Sequence, residues 1–305
     1  MRIAIIGAGA IGGVLAWYLA PHCDLVIVDP WAGHVAALNC DGLHCERDGV
    51  TEARRVRAVS DPALAFPAKL ALVLVKAHQT AWAAEACAVA LAPDGLAYTL
   101  QNGLGNHEVL AAELGATRVG QGVTALGGTL LGPGRVRHAG MGATTLSLTP
   151  NPAQANALAD LLNQAGLPTS VTADLDSLIW GKLIVNVGIN AITALLRVRN
   201  GVLAENSAAR GLLSAVVAEA VRVAAAQGIT LPYTDPVAHV LQVARATAAN
   251  QSSMLQDRLR GAPTEIATIN GAIVAIGAKL GLPTPYNAAL VALMTALETT
   301  QGEGV

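Results

Sequence analysis

The chain has 305 residues, of which 53% are apolar and 13% charged, and its formal net charge at pH 7 is −2. That length predicts two domains, and the composition predicts globular folding rather than disorder. The near-neutral charge, without a block of Lys and Arg, argues against binding to nucleic acid or to an anionic membrane. The apolar residues are mainly Ala, Val and Leu with a single Phe, which favours helix over sheet.

The first half of the chain is predicted to form a Rossmann-type parallel sheet. An apolar run at 3–6 ends in glycine, and apolar residues then recur at helical spacing from 11 to 19, which indicates strand, turn and helix. Further buried strands are predicted at 25–28, 70–75 and 96–100. Alternation of strands with amphipathic stretches is typical of a parallel sheet with crossover helices. The Gly-rich, β-like stretch 119–148 is expected to complete this sheet.

The second half is predicted to be helical. After residue 151 strand signals nearly vanish, and helices are predicted at 153–164, 175–196, 208–226, 236–248 and 266–280. The expected architecture is an α/β chain with an N-terminal Rossmann-type domain followed by an all-α C-terminal domain. We place a dinucleotide-binding domain at 1–168 and a helical substrate and catalytic domain at 169–305, with the boundary near Gly166-Leu167-Pro168.

Polar interruptions and cysteine spacing indicate a cytoplasmic protein. The most apolar stretches are broken by Asn186 and Asn190 in one case and by Glu219 and Arg222 in another, so no membrane span is expected. The four cysteines lack the spacing of a zinc site and are expected to be reduced thiols. We therefore predict no metal site.

A glycine turn follows the first predicted strand. Its sequence, Gly7-Ala8-Gly9-Ala10-Ile11-Gly12, matches G-x-G-x-x-G, in which glycines and the following helix N-terminus hold a pyrophosphate. Asp29 ends the second strand, where a carboxylate can accept hydrogen bonds from the adenosine ribose hydroxyls. The alternative is that Asp29 is a turn residue before Pro30. FAD enzymes and some methyltransferases share such turns, so the nicotinamide cofactor is inferred from the chain as a whole.

Three polar residues form a stripe on one apolar helix. Lys182, Asn186 and Asn190 lie at positions i, i+4 and i+8 and span roughly 80° of the helix circumference. Buried amides and an ammonium need partners. Either they bond to carbonyls of neighbouring helices, with Lys182 extending to water, or they line a catalytic site.

The chain closely resembles the ketopantoate reductases, or 2-dehydropantoate 2-reductases, almost from end to end. Beyond the glycine turn, the resemblance is carried by Val75-Lys76-Ala77-His78-Gln79-Thr80, Gln101-Asn102-Gly103-Leu104-Gly105, Trp180-Gly181-Lys182-Leu183 with Asn186 and Asn190, Asn200-Gly201, Asn250-Gln251-Ser252-Ser253-Met254-Leu255-Gln256-Asp257, Thr264-Glu265-Ile266 and Asn270-Gly271. Taken together these motifs are far more specific than the glycine turn alone.

The resemblance implies roles for individual residues. Lys182 corresponds to the general acid that protonates the carbonyl oxygen as hydride arrives, and an ammonium suits the negative charge that develops there. Substrate contacts are implied for Asn186, Asn190, Asn200 and Ser253, which match residues that bind carboxylate and hydroxyl groups.

Cofactor contacts are implied at three further positions. Asn102 matches a residue that contacts cofactor and substrate together, whereas Lys76 and Glu265 match cofactor-side contacts, and Glu265 is also expected to organise Lys182. We also expect Gly128 at the cofactor. Purely structural roles are the alternatives: an acid at a helix N-terminus for Glu265 and a helix N-cap for Ser253.

The cofactor form is where the residues and the family disagree. NADPH-using members commonly carry Arg after the second strand, whereas this chain reads Val28-Asp29-Pro30-Trp31. Asp29 favours NAD(H), while the family norm favours NADP(H).

Three functions are therefore weighed. The first is reduction of 2-dehydropantoate to D-pantoate for pantothenate and coenzyme A biosynthesis. The second is an NAD-dependent D-2-hydroxyacid dehydrogenase of the same family, and the third is a non-catalytic dinucleotide sensor. The retained Lys182 and Glu265 argue against a sensor, which needs no proton donor. The expected partner is a small 2-oxo acid, and the apolar C-terminal helices favour a homodimer.

Overall fold

The structure is a computed structural model that describes residues 2–300 of the chain. It divides into two compact units, one comprising residues 2–101 and 106–175 and the other residues 102–105 and 176–300. The first unit is α/β, and the described part of 176–300 contains helices and no strand. The α/β fold class, with an N-terminal parallel sheet and a helical C-terminal region, is confirmed.

Twelve strands are found in the described part of the first unit. They are β1 (Arg2–Ile6), β2 (Asp24–Val28), β3 (Leu43–Arg47), β4 (Val50–Arg54), β5 (Arg57–Val59), β6 (Ala68–Val73), β7 (Leu91–Thr99), β8 (Val119–Thr124), β9 (Gly127–Gly132), β10 (Arg135–Gly140), β11 (Thr144–Ser147) and β12 (Thr169–Thr172). Eight form a sheet of order β12-β11-β8-β7-β6-β1-β2-β5, in which only the β8–β11 pair is antiparallel. The other four form a second sheet, of order β4-β3-β10-β9.

Five α-helices lie between the strands of the described part of the first unit, and four of them connect strands of the larger sheet. They are α1 (Ala10–Leu19), α2 (Ala32–Asp41), α3 (Thr80–Ala90), α4 (Asn106–Leu114) and α5 (Pro152–Gln164), with short 3₁₀ turns at Pro62–Ala65, Ala77–Gln79 and Ala116–Arg118. Strand β1 pairs with β2 on one side and with β6 on the other. The strand order therefore reverses at β1, and ligands of such sheets bind beyond the carboxyl ends of the strands at this point.

Helix α1 is buried on all sides because it packs between the two sheets. Its residues from Gly12 to Leu19 are buried, and it contacts β9 and β10 as well as β1 and β2. A Cβ on Gly13 would lie 2.6 Å from Cγ1 of Val136 in β10. An almost wholly apolar helix is stable only in such an enclosed position.

The second sheet corrects the expectation that 119–148 simply completes the main sheet. Strands β8 and β11 do join it, but β9 and β10 form a hairpin that pairs with β3. The β3–β4 hairpin was not predicted, since its strand β4 is exposed and lacks an apolar run. The small sheet covers the side of α1 that faces away from the larger sheet, through strands β3, β9 and β10.

The division between the units differs slightly from the expected boundary at 168. Strand β12 follows that boundary, yet it pairs in parallel with β11 and so belongs to the first unit. Residues 102–105 group with the second unit, where the amide of Leu104 donates to the carbonyl of Thr268 at 3.0 Å. Local helix patterns cannot indicate either feature, because both depend on pairing between distant segments.

Seven helices build the part of the second unit that the structure describes. They are α6 (Asp176–Leu196), α7 (Val202–Glu205), α8 (Ser207–Ala226), α9 (Pro236–Ala246), α10 (Ser253–Leu259), α11 (Asn270–Lys279) and α12 (Pro285–Thr299). Helix α6 is central and contacts α8, α9, α10 and α12. Within residues 2–300 it is the one helix with the length and hydropathy of a membrane span, and 67% of that stretch is buried inside the protein, as in a core helix.

The helix starts follow capping residues where the sequence supplies them. Asn206 accepts from the amides of Ala208 and Ala209, and Asp235 accepts from Ala238 ahead of Pro236. The helix predicted at 266–280 begins only at Asn270, so Glu265 precedes a turn of four residues rather than a helix. Helices α7, α10 and α12 were not predicted. The first two are the shortest α-helices of the described part of this unit, and α12 is apolar on its exposed face as well as its buried one.

Candidate active site

The glycine turn joins β1 to α1. Gly7 has φ +90°, a conformation that favours glycine, and a Cβ on Gly12 would overlap the carbonyl oxygen of Gly7. These two glycines are therefore required by the protein's own packing. A Cβ on Gly9, in contrast, would meet no atom within 4 Å. The backbone at Gly9 faces open space, so the protein's own packing does not require glycine there.

Helix α1 begins directly at this turn. Gly9 is its N-cap, and the first intrahelical bond runs from the amide of Gly13 to the carbonyl of Gly9 at 2.8 Å. The amides of the first turn, from Ala10 to Gly12, have no intrahelical acceptor, and the helix dipole adds positive potential there. The turn and the helix start thus fit a dinucleotide pyrophosphate.

Asp29 lies at the end of β2 and is 8% exposed. Its Oδ2 accepts from the amide of Ala8 at 2.9 Å, and its Oδ1 accepts from the amide of Trp31 at 2.9 Å. The bond to Trp31 is the contact expected if Asp29 is a turn residue before Pro30. Each carboxylate oxygen can accept a second hydrogen bond, so this role leaves acceptor capacity for ribose hydroxyls.

His34 is a buried residue of this region that sequence reasoning missed. Its Nδ1 accepts from the amide of Gly134 at 3.0 Å, so Nε2 carries the proton and donates to the carbonyl of Ala8 at 3.1 Å. Burial lowers the pKa of His34, although Asp29 and the bond to Ala8 act in the opposite direction. His34 ties the glycine turn to the second sheet. The exposed ring of Trp31 stacks on it, with centroids 5.3 Å apart and planes at 9°.

The two remaining cofactor candidates of the first unit lie on different elements. Lys76 follows β6 and begins the 3₁₀ turn Ala77–Gln79. Gln101 supports this segment by donating to the carbonyl of Val75 at 3.0 Å and to Oγ1 of Thr80 at 2.8 Å. In β9, a Cβ on Gly128 would lie 2.5 Å from the carbonyl oxygen of Ala10. Gly128 is therefore required for packing against the start of α1.

Lys182, Asn186 and Asn190 lie on one face of α6, as their spacing predicted. Lys182 and Asn186 are half-buried, and Asn190 is 5% exposed. Burial lowers the pKa of Lys182 from 10.5 to about 8, while the carboxylate of Glu265 acts in the opposite direction. An ammonium with this pKa is a far better proton donor near neutral pH than an ordinary lysine.

Glu265 and Asn102 are brought together inside the second unit. Glu265 is 5% exposed, and the Nδ2 of Asn102 donates to its Oε2 at 3.3 Å. Asn102 belongs to this unit because the 102–105 segment is held by Thr268. Glu265 therefore has two contacts: its carboxylate accepts from the Asn102 side chain, and it raises the pKa of Lys182, which stabilises the Lys182 ammonium.

Asn190 contacts Ser253 at the start of α10, Nδ2 donating to Oγ at 3.4 Å. The N-cap of α10 is the preceding residue, Ser252, whose Oγ accepts from the amide of Leu255 at 3.1 Å. The alternative N-cap role for Ser253 is therefore wrong. Ser252 also bonds to Thr193 of α6 at 2.7 Å. This second attachment between α6 and α10 was not predicted, since two adjacent serines give no signal that separates their roles.

Asn200 lies between α6 and α7 and is 7% exposed. Its Nδ2 donates to Oγ1 of Thr247 at 2.9 Å. Its Oδ1 is buried and has no hydrogen-bond partner among the described residues. Asn200 therefore offers an acceptor to a ligand, which agrees with its implied role in substrate binding.

The remaining polar groups give no sign of a metal centre. No group of three or more His, Cys, Asp or Glu side chains suited to a metal ion occurs within residues 2–300. The four cysteines are free thiols, and burial raises the pKa of Cys87 to about 12.

Two family models match this chain along most of its length. The model described as ketopantoate reductase PanE/ApbA matches residues 3–151, and the one described as ketopantoate reductase PanE/ApbA C terminal matches residues 174–298. The chain belongs to the ketopantoate reductase family. The resemblance inferred from the sequence motifs is thereby confirmed.

Two ketopantoate reductases and a D-mandelate dehydrogenase match this chain over nearly its full length. A 2-dehydropantoate 2-reductase of Halobacterium salinarum is 39% identical over 90% of this chain and 91% of its own. The crystal structure of a family ketopantoate reductase from Ralstonia eutropha has a TM-score of 0.91 and 34% identity, covering 99% of each chain. A D-mandelate dehydrogenase with NADH and anilino(oxo)acetate has a TM-score of 0.91 and 28% identity, covering 98% of this chain and 99% of its own.

In this ketopantoate reductase family member the candidates form separate groups within each unit. The glycine turn, Asp29 and Gly128 lie around the start of α1. In the second unit, Glu265 contacts Asn102 and acts on Lys182, and Ser253 contacts Asn190, whereas Asn200 bonds to Thr247.

Proposed function

We propose that this protein reduces 2-dehydropantoate to D-pantoate with a nicotinamide cofactor and that Lys182 supplies the proton. The observation that carries the proposal is the environment of Lys182, where burial lowers its pKa to about 8 and Glu265 limits the shift. Such a group is charged at neutral pH and gives up its proton readily. These are the two properties that a general acid needs.

The chain's residues perform three tasks in this reaction. When bound, the cofactor supplies hydride to the carbonyl carbon. Lys182 stabilises the negative charge that develops on the carbonyl oxygen and then transfers its proton to that atom. Glu265 keeps Lys182 protonated until substrate arrives, and Asn102 holds the Glu265 carboxylate in place.

Neutral polar groups are proposed to bind the rest of the substrate. Asn186, Asn190, Asn200 and Ser253 offer amides and a hydroxyl, which can hold a carboxylate or a hydroxyl without adding charge to the site. Their neutrality preserves the pKa of Lys182, because an additional cation would lower it further and an additional anion would raise it.

For the cofactor we propose a preference for NADH. Gly7 to Gly12 and the start of α1 fit the pyrophosphate, and Asp29 fits the ribose hydroxyls but repels a phosphate on the ribose. Lys76, Asn102, Gly128 and Glu265 complete the proposed cofactor contacts. NADPH remains the alternative that the family norm favours.

The second candidate is an NAD-dependent D-2-hydroxyacid dehydrogenase of the same family. It is supported by the similarity to D-mandelate dehydrogenase, whose structure contains NADH. Both candidates use the same general acid and differ in the substituent beyond the 2-oxo acid group. A dinucleotide sensor without catalysis is the least supported, since it gives no reason for a lysine with this pKa.

We further propose a cytoplasmic homodimer that binds neither nucleic acid nor membrane. The outward face of α12 carries exposed apolar side chains, including Tyr286 at 50%, Leu293 at 55% and Leu297 at 38%. Exposed apolar patches of this kind commonly mark association surfaces. Light scattering coupled to gel filtration measures the mass directly, and a monomer at micromolar concentration would contradict the dimer.

The decisive assay uses purified protein and a panel of 2-oxo acids with NADH and NADPH in separate reactions. We expect the highest kcat/KM for 2-dehydropantoate, and the Lys182→Ala variant is the control for adventitious activity. Preference for phenylglyoxylate or another aryl or alkyl 2-oxo acid would favour the dehydrogenase. Cofactor binding without turnover of any panel member would favour the sensor.

A further inference from the structure

The segment that contains Asn200 is fixed against the end of α9. The amide of Asn200 donates to the carbonyl of Asn250 at 3.1 Å, and the amide of Gly201 donates to the carbonyl of Ala248 at 3.2 Å. A Cβ on Gly201 would lie 2.8 Å from Cβ of Ala248. Glycine at this position lets the two segments approach closely. Two backbone hydrogen bonds therefore hold the Asn200–Gly201 backbone against residues 248–250.

Thr247 determines which way the Asn200 amide faces. The hydroxyl of Thr247 donates its single proton to the carbonyl of Val243 at 2.8 Å. Its oxygen can then only accept a hydrogen bond from Asn200, at 2.9 Å, so the atom facing it must be the amide nitrogen. The hydrogen-bond pattern thus excludes the flipped amide, in which two acceptors would face each other.

The consequence is an oriented acceptor. With Nδ2 held by Thr247, the Oδ1 of Asn200 is buried and has no partner among residues 2–300. A buried acceptor without a donor is unfavourable, and a ligand that brings a donor removes that cost. A hydroxyl provides such a donor, whereas a carboxylate provides only acceptors and would face Oδ1 unfavourably.

We propose that Thr247 is a positioning residue that orients the Asn200 amide and thereby makes the enzyme select 2-oxo acids bearing a hydroxyl group. The inference rests on the proposed function, of which it specifies the substrate class. Thr247 acts only through Asn200. It also separates the two enzyme candidates, because 2-dehydropantoate carries a hydroxyl beyond its 2-oxo acid group and phenylglyoxylate does not.

The experiment compares two substrates that differ by one oxygen atom, 2-dehydropantoate and its analogue with hydrogen in place of the hydroxyl. For the unmodified protein we expect kcat/KM to favour the hydroxylated acid by about 10- to 100-fold. Thr247→Val keeps the shape but cannot accept from Asn200, so the ratio should fall toward 1, mainly through a higher KM for 2-dehydropantoate. Thr247→Ser retains the hydroxyl and should restore most of the ratio.

Thr299→Val is the matched control. Thr299 also donates to a carbonyl of its own helix, that of Thr295 at 3.0 Å, but on the exposed surface of α12. This variant should leave the substrate ratio and both kcat/KM values unchanged. Comparison of the two variants distinguishes the general effect of removing a threonine hydroxyl that bonds to a backbone carbonyl from the specific effect of losing the orientation of the Asn200 amide.

Several results would overturn the inference. One is a ratio near 1 in the unmodified protein; another is a Thr247→Val variant that keeps the ratio or loses activity equally on both acids. Failure of the proposed function looks different, since no 2-dehydropantoate would then be reduced with either cofactor. In that case protection of the cofactor complex against thermal unfolding is measured for both acids. Preferential protection by the hydroxylated acid that Thr247→Val abolishes supports the inference, and equal protection overturns it.

Discussion

Lys182 is expected to be both necessary for catalysis and costly for folding. Its pKa falls from 10.5 in the unfolded chain to about 8 in the folded protein. At roughly 1.4 kcal/mol per unit, holding the ammonium in this environment destabilises the fold by about 3 kcal/mol. The burial that tunes this lysine for proton transfer therefore works against stability.

The sign of the pH effect follows from the two pKa values. Below about pH 8 both folded and unfolded chains carry the ammonium, so the destabilisation is fully present. Between about pH 8 and 10.5 the folded protein holds the neutral amine while the unfolded chain still binds a proton, so this contribution diminishes as pH rises. Above that range neither state is charged and the contribution vanishes.

The test is Lys182→Met, which keeps the side-chain volume without the charge. We expect the free energy of unfolding at neutral pH to rise by about 1–3 kcal/mol, since the loss of an ion partner for Glu265 offsets part of the gain. At the same time kcat should fall by about 10²- to 10⁴-fold. Urea titrations at several pH values measure the first effect and single-turnover kinetics the second. A variant that is less stable than the parent at neutral pH, or that keeps normal turnover, would refute the reasoning.

The rate of reduction by the unmodified protein should fall as pH rises through about 8, because only the ammonium form of Lys182 donates a proton. Glu265→Gln should move the midpoint of this pH profile to lower pH. An unchanged midpoint would exclude coupling between Glu265 and Lys182. Gly9→Ala should leave the melting temperature nearly unchanged but weaken NADH binding by at least about tenfold, whereas Gly12→Ala should lower stability by several kcal/mol, on the order of 3 or more, because its Cβ overlaps Gly7. Equal stability of the two glycine variants would contradict the assigned roles. Asn190→Ala and Ser253→Ala should each raise KM for the 2-oxo acid by an amount that corresponds to about 1–3 kcal/mol of binding free energy. KM for the cofactor should stay unchanged, and equal changes in both KM values would point to misfolding. Asp29→Asn should narrow a roughly 5- to 150-fold preference for NADH, and Pro30→Arg should reverse it; tighter binding of NADPH to the unmodified protein would show that Asp29 does not repel the phosphate.

The sequence predicts the parts of this molecule that depend on local pattern. The glycine turn between strand and helix, the strands from β1 to β7 that carry apolar runs, and the polar stripe on α6 all follow from residue type and spacing. The 80° stripe in particular predicts that Lys182, Asn186 and Asn190 share a face, and the structure places them so. Their chemical roles came from the resemblance rather than from spacing.

Features that depend on pairing between distant segments were not predictable. The second sheet exists because β3 and β10 pair across a long stretch of chain, and neither strand shows this in its own sequence. His34 gave no signal, since its two partners, Ala8 and Gly134, are defined only by the fold. The direction of the Asn200 amide likewise depends on Thr247, which caps the end of α9.

The placement of residues 102–105 limits how natural or designed recombination can exchange the halves of this enzyme. The chain passes from the first unit to the second at 101–102, returns at 105–106 and leaves again after 175. Consider a chimera spliced near residue 175 that joins this helical unit to the α/β unit of a relative. Residues 102–105 of that chimera would come from the relative, although they pack within the helical unit. The Leu104–Thr268 bond and the contact between Asn102 and Glu265 would then each join a residue from one protein to a residue from the other. Grafting this chain's own four residues into the relative's half is the way to keep such hybrids active.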